Sequence, residues 1–170
     1  KKRDKEINEY QRDVRRKVLT HYAVEQDTSN MADGLILINM VVDIERIGDY
    51  CKNILDLAIN HDQSIKSSEI SEDLAMIEEE AKSRFEKTIQ AIQAQDVEIA
   101  KSLMEGYKEQ MTGKSDEIVN GILKDELHFG SEARTASIAL YARYLKRIGA
   151  HLKNITTTLV NPFDAIGYKE

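Results

Sequence analysis

Apolar residues recur at alternating spacings of three and four along most of the 170-residue chain, as they do in amphipathic helices that bury one face. The pattern predicts five helices. The first, over 4–24, turns Ile7, Tyr10, Val14, Val18 and Tyr22 inward. The second, over 33–59, has the most regular seam: Leu37, Val41, Ile44, Gly48, Cys51, Leu55 and Ala58. The third, over 69–94, places Ile70, Leu74, Ile77, Ala81, Phe85, Ile89 and Ile92 in the core. Asp96 is a good N-cap for the fourth, over 96–127, which Thr112-Gly113 could bend. The fifth runs over 131–160 and stops before Pro162. Residues 25–30 and the serine-rich 61–68 are polar connections, and 161–170 is a short tail.

The second helix has an echo in the fifth. Adding 101 to each number turns Arg46-Ile47-Gly48 into Arg147-Ile148-Gly149, and Lys52-Asn53-Ile54 into Lys153-Asn154-Ile155. The seam returns in the same frame as Ile138, Ala142, Leu145, Gly149, Leu152, Thr156 and Leu159. A mid-helix glycine costs roughly 1 kcal/mol against alanine, so its recurrence predicts close helix approach at Gly48 and Gly149. The repeated Asn53 and Asn154 point to a shared structural hydrogen bond. The chain then divides into a first repeat, 1–62, with two helices, a second, 63–160, with three, and the tail 161–170. The two helices of the first repeat match the last two of the second. A further helix upstream of Lys1 would complete the symmetry, and we expect the chain to be a piece of a longer protein. The fold class is all-α: an antiparallel helical bundle built from two repeats.

Composition agrees, with 32% charged residues, one proline and few aromatics. The lone Cys51 allows no intramolecular disulfide and suits a reducing compartment. No apolar run approaches the ~20 residues that cross a bilayer, and no apolar stretch follows Lys1-Lys2-Arg3 as in a signal peptide. The net charge of −6 argues against general nucleic-acid binding. Charge is uneven: residues 1–17 carry eight Lys/Arg against four Asp/Glu, and residues 69–80 carry six acids and no bases. Such runs usually form solvated helix faces. The basic start also suits the cytoplasmic surface of a membrane.

Chemistry concentrates at Glu45 and Asp49, one helical turn apart on one face. Like charges at that spacing repel by a few tenths of a kcal/mol, so something should offset the cost: a bound cation, or pairing with Arg46, Lys52 or a neighbouring helix. Their counterparts in the second repeat are Lys146 and Ala150. Gly113-Lys114-Ser115 resembles the end of a P-loop, but Lys108 stands where its first glycine belongs and no strand precedes it. His21, His61, His128 and His151 have no close ligand spacing, and His151 is a satisfied helix histidine on this reading. No nucleophile–base pair is visible, nor the Glu-x-x-His pairs of a di-iron bundle. These features name no reaction and leave a binding module, a metal-dependent enzyme, a metal store and a purely structural scaffold as the alternatives.

The run Glu45-Arg46-Ile47-Gly48-Asp49, followed by Asn53-Ile54, resembles the signature of the PhoU family of phosphate-uptake regulators. Asp96-Val97-Glu98-Ile99-Ala100 is similar to the opening of that family's second middle helix. The resemblance covers nearly the whole chain. It implies two three-helix bundles in tandem, each with a Glu/Asp-x-x-x-Asp motif that binds divalent or ferric ions such as iron, zinc, manganese or nickel. Carried over, Glu45 and Asp49 alone qualify as metal ligands, because Lys146 and Ala150 cannot ligate. Tyr144-Leu145-Lys146-Arg147-Ile148-Gly149-Ala150-His151 resembles the Leu-Lys-Arg-Ile-x-x-His pattern of PhoU-like domains at the cytoplasmic C-terminus of bacterial sodium–phosphate cotransporters. That implies a transporter membrane domain in cis and a place at the inner face of the cell membrane. The alternative is a free-standing PhoU acting in trans on an ABC phosphate importer and its sensor kinase. Pairing into homodimers fits either.

Overall fold

The computed structural model describes residues 2–25, 28–60 and 71–168, and every regular element among them is helical. They are α1 (Lys2–Glu25), α2 (Met31–Asn60), α3 (Glu72–Ala94), α4 (Val97–Met104), a π-helical segment (Lys108–Gly113), α5 (Lys114–Leu123), α6 (Glu132–Thr157) and, in the tail, a 3-10 turn (Phe163–Ala165). The polar hinge expected at 61–68, and Ile70, lie outside the described residues.

Helix starts follow from their caps. Ser71 and Ser131 accept from the backbone N–H groups of Leu74 and Arg134 at 3.3 and 3.2 Å. Asp96 accepts from Glu98 and Ile99 at 2.9 and 3.0 Å, as its sequence position predicts. Gln95, left-handed at φ 52°, lets α3 turn into α4 through a link of two residues.

The fourth predicted helix is three pieces rather than one. Gly106, at φ 64°, ends α4, and the π-helical segment then resets the register for α5. The cause lies on α3. Arg84 is buried, donates to the carbonyls of Leu103 and Glu105 and to Gln110 Oε1, and is paired with Glu80 at 2.6 Å. A buried guanidinium has to place its donors, and the opened backbone supplies the acceptors.

α6 is the centre of the molecule, packing on α2, α3, α4 and α5. One core cluster joins Leu74 and Ile77 of α3, Met111, Ile118 of α5, and Ile138 and Leu145 of α6. A second joins Ile47 of α2 to Ile148, Leu152 and Ile155 of α6. Among the described elements α1 packs on α2 alone, and α2 and α3 flank α6 without meeting each other. At Gly48 an added Cβ would stand 3.2 Å from Ile7 Cδ1, and at Gly149 it would stand 2.5 Å from Met111 Cε. Both glycines therefore admit a side chain from another segment of their own repeat.

The two seams, identical in pattern, have opposite fates. In α6, Ile138, Ala142, Leu145, Gly149, Leu152 and Thr156 are all buried. In α2, Leu37, Ile44, Cys51, Leu55 and Ala58 are exposed, Leu55 to 48%. The expectation of a covered α2 seam is corrected: α3 covers the α6 seam, and no described element does the same for α2. What α2 does turn to α6 is the neighbouring stripe, with Asp43 and Ile47 buried and Tyr50 and Ile54 half-buried. A similar shift occurs in α3, where Arg84, Thr88 and Ala91 are buried while Phe85 and Ile89 stay 44% and 43% exposed. Tyr10 of α1, read as inward, is exposed as well.

Candidate functional site

The α2–α6 contact has internal symmetry. Asp43 meets His151, with Nδ1 donating to Oδ1 at 2.7 Å, and Tyr50 packs 5.9 Å from the ring of Tyr144. Adding 101 converts Asp43 into Tyr144 and Tyr50 into His151, so each contact is the image of the other. The helices cross on a pseudo-two-fold axis near Ile47 and Ile148, which share one buried cluster. Symmetric positions carry different residues, and the difference makes a polar centre.

Asp43 is that centre. It is buried, and its Oδ1 accepts from His151 Nδ1 and, at 3.1 Å, from Asn154 Nδ2. A carboxylate only accepts, so the proton on His151 lies on Nδ1. Tyr50 stacks against the His151 ring at 5.8 Å, and its hydroxyl accepts from Arg147 Nε at 3.1 Å. The repeated asparagine thus does make a structural bond at Asn154, and His151 is a bonded histidine joining the repeats. Asp43 went unremarked in the sequence. The available signal was a second apolar stripe, Ile47-Tyr50-Ile54, with one acid in line with it.

Glu45 and Asp49 lie on another face of α2. Arg46 sits between them, 3.7 Å from Glu45 Oε2 and 3.4 Å from Asp49 Oδ2. The like-charge cost is thereby offset from within the helix. Lys52, on the same side, reaches Asp4 of α1 at 3.5 Å. In the second repeat Lys146, the counterpart of Glu45, is bonded to both oxygens of Asp116 at 2.6 and 2.7 Å. Where the family resemblance implies acids, the second repeat has an interhelical ion pair.

The donor set does not fit a resident metal. Among the described residues no group of three or more His, Cys, Asp or Glu side chains is placed to hold an ion. Glu45 and Asp49 bring two carboxylates with a guanidinium already paired to both, whereas calcium takes six or more oxygens and zinc sites three or four protein ligands.

A groove of about 620 Å³ opens beside this interface, between α1 and α2 on one side and α3 and α6 on the other. Its walls are apolar, and its floor is the second core cluster. None of the helices is long and apolar enough to cross a membrane, among the described residues.

No curated protein and no solved structure matches the chain. The sequence model of the PhoU domain matches residues 1–58 and 74–159, which span both repeats and both copies of the motif helix. This all-α chain therefore belongs to the PhoU domain family, whose role is in the regulation of phosphate transport.

Proposed function

We propose that this chain is a non-catalytic regulatory domain attached to the membrane domain of a sodium–phosphate cotransporter, working at the inner face of the membrane through protein contacts rather than a resident ion. The observation that carries the reading is the use made of the Leu145–His151 pattern. Lys146 holds Asp116, Arg147 holds Tyr50, and His151 holds Asp43. The three charged or titratable side chains that resemble the cotransporter-type pattern are all spent on fastening helices, and two of them fasten one repeat to the other. A bundle locked in this way suits a rigid body that transmits a push. Exposed Lys5, Arg12, Arg15 and Arg16 on α1, although interleaved with exposed Glu6 and Glu9 and with Arg16 3.8 Å from Asp13, leave it an excess of positive charge suited to an anionic bilayer surface.

The test is radiolabelled phosphate uptake in cells of the source organism, with the domain deleted or carrying His151→Ala. Sodium-driven uptake should change while ATP-driven uptake does not. The reverse outcome supports a free-standing regulator of an ABC importer, and no change in either supports a structural scaffold.

A further inference from the structure

We infer that the face of α6 centred on Ala150 binds a phosphoryl dianion as a reversible ligand, supplied as inorganic phosphate or as a phospholipid headgroup. The inference stands apart from the cotransporter reading and starts from helical spacing. In an α-helix the side chains three and four residues away are the neighbours of a given position. For Ala150 these are Lys146, Arg147, Lys153 and Asn154: three cations and an amide around a methyl group. All five residues are half-buried, and exposed Arg143 stands one turn from Arg147. After Glu132, α6 has no acidic residue, although the chain as a whole carries −6.

The first repeat shows what is missing here. The counterpart of Ala150 is Asp49, whose four neighbours are Glu45, Arg46, Lys52 and Asn53. There two acids meet two bases: Arg46 reaches both acids, and Lys52 turns to Asp4. Around Ala150 the cations lean on neutral groups instead. Arg147 gives only Nε to the Tyr50 hydroxyl, at 3.1 Å, which leaves its two terminal amino groups for a ligand. Lys153 donates to the carbonyl of Gly167 at 3.0 Å and lies 5.8 Å from the ring centre of Tyr107. Among the described residues Arg143, Arg147 and Lys153 have no carboxylate within ion-pair distance. The acids in contact with the group are Asp116 of α5, bonded to Lys146, and Asp43 of α2, bonded to His151 and Asn154. Arg143, Lys146, Arg147 and Lys153 bring four positive charges against those two negative ones, leaving +2, which a phosphate dianion cancels. Arg143, Lys146 and Arg147 also stand at i, i+3 and i+4, where like charges repel. A bound anion turns that cost into attraction, and a guanidinium fork matches phosphate oxygens in shape as well as charge.

The experiment reads Lys153 itself, in the full natural polypeptide, as its rate of acetylation by a water-soluble N-hydroxysuccinimide ester, resolved by mass spectrometry of its peptide. Two probes are compared at an ionic strength held constant with sodium chloride: inorganic phosphate, and vesicles of phosphatidylcholine containing phosphatidic acid. At about ten times its titration midpoint, the probe that binds should slow Lys153 roughly tenfold by mass action. Exposed Lys101 should react at an unchanged rate. Ala150→Glu supplies a carboxylate in place of the ligand's and should abolish the protection while the far-ultraviolet circular dichroism stays helical; Ala150→Ser should keep it. Protection by phosphate supports the inference with the free ion as ligand, and protection by the acidic vesicles alone supports it with a headgroup as ligand. Protection by neither overturns it. So does protection that chloride or pure phosphatidylcholine reproduces, that extends to Lys101, or that survives in Ala150→Glu. No transport is measured, so failure of the cotransporter reading would leave these rates as they are.

Discussion

Asp43 and the pair Glu45/Asp49 are close in the chain, yet substitution should separate them sharply. Asp43→Ala would leave His151 Nδ1 and Asn154 Nδ2 without their acceptor at a buried interface. A loss of about 2–4 kcal/mol is expected, read as a lower urea midpoint with an unchanged slope. Asp43→Asn keeps an acceptor oxygen and should cost less. The Arg46 pairs are partly solvated and screened, so Glu45→Ala/Asp49→Ala should cost under about 1 kcal/mol. Metal content after incubation with iron, zinc, manganese and nickel should be negligible with or without that double substitution. Stoichiometric metal in the wild type that vanishes in the variant would make Glu45 and Asp49 a site and refute the ion-free reading. The motif was legible in the sequence because it is a local spacing. The Asp43 triad was not, because its members are about 110 residues apart and meet only when the repeats dock.

At the scale of elements, local sequence signals performed well at helix starts and poorly inside the fourth helix. Asp96 and Ser131 act through their own turn, so their effect is readable from neighbours, whereas the third helix, expected from 69, has its N-cap at Ser71. The break at Gly106 and the π-helical segment depend on Arg84, about twenty residues away on another helix. Arg84→Ala should therefore destabilise by about 3 kcal/mol, since it strands Glu80 and several carbonyls together. For a chain of this size that corresponds to a fall in Tm of about 6–12 °C. Arg84→Lys should recover only a part, because an ammonium cannot span the same fork of acceptors. Full recovery by lysine would mean that charge alone, and not the geometry of the fork, sets the register.

For the molecule as a whole, stability should be graded about α6. Among the described residues that helix is packed on four others and supplies six of the fifteen buried core hydrophobics. Among the described elements α1 is supported by α2 alone, and it exposes Tyr10, Leu19 and Val24. Amide exchange in the 170-residue chain should accordingly be at least about tenfold faster in α1 than in α6. Equal protection of the two would show that α1 has support beyond α2.

The sequence by itself determined the all-α class, most of the helices, the cap at Asp96 and the family, all of which follow from spacings within one or two turns or from similarity to a known pattern. It could not determine which face of α2 is inside. Two stripes on that helix are apolar enough to be buried, and only the presence of α6 on one side, with no described helix opposite α3 on the other, chooses between them. The same holds for the second repeat, where a seam of the same spacing is buried because α3 lies on it. Periodicity states that a face can be buried. Burial itself is a property of the neighbour, and neighbours are set by the tertiary fold.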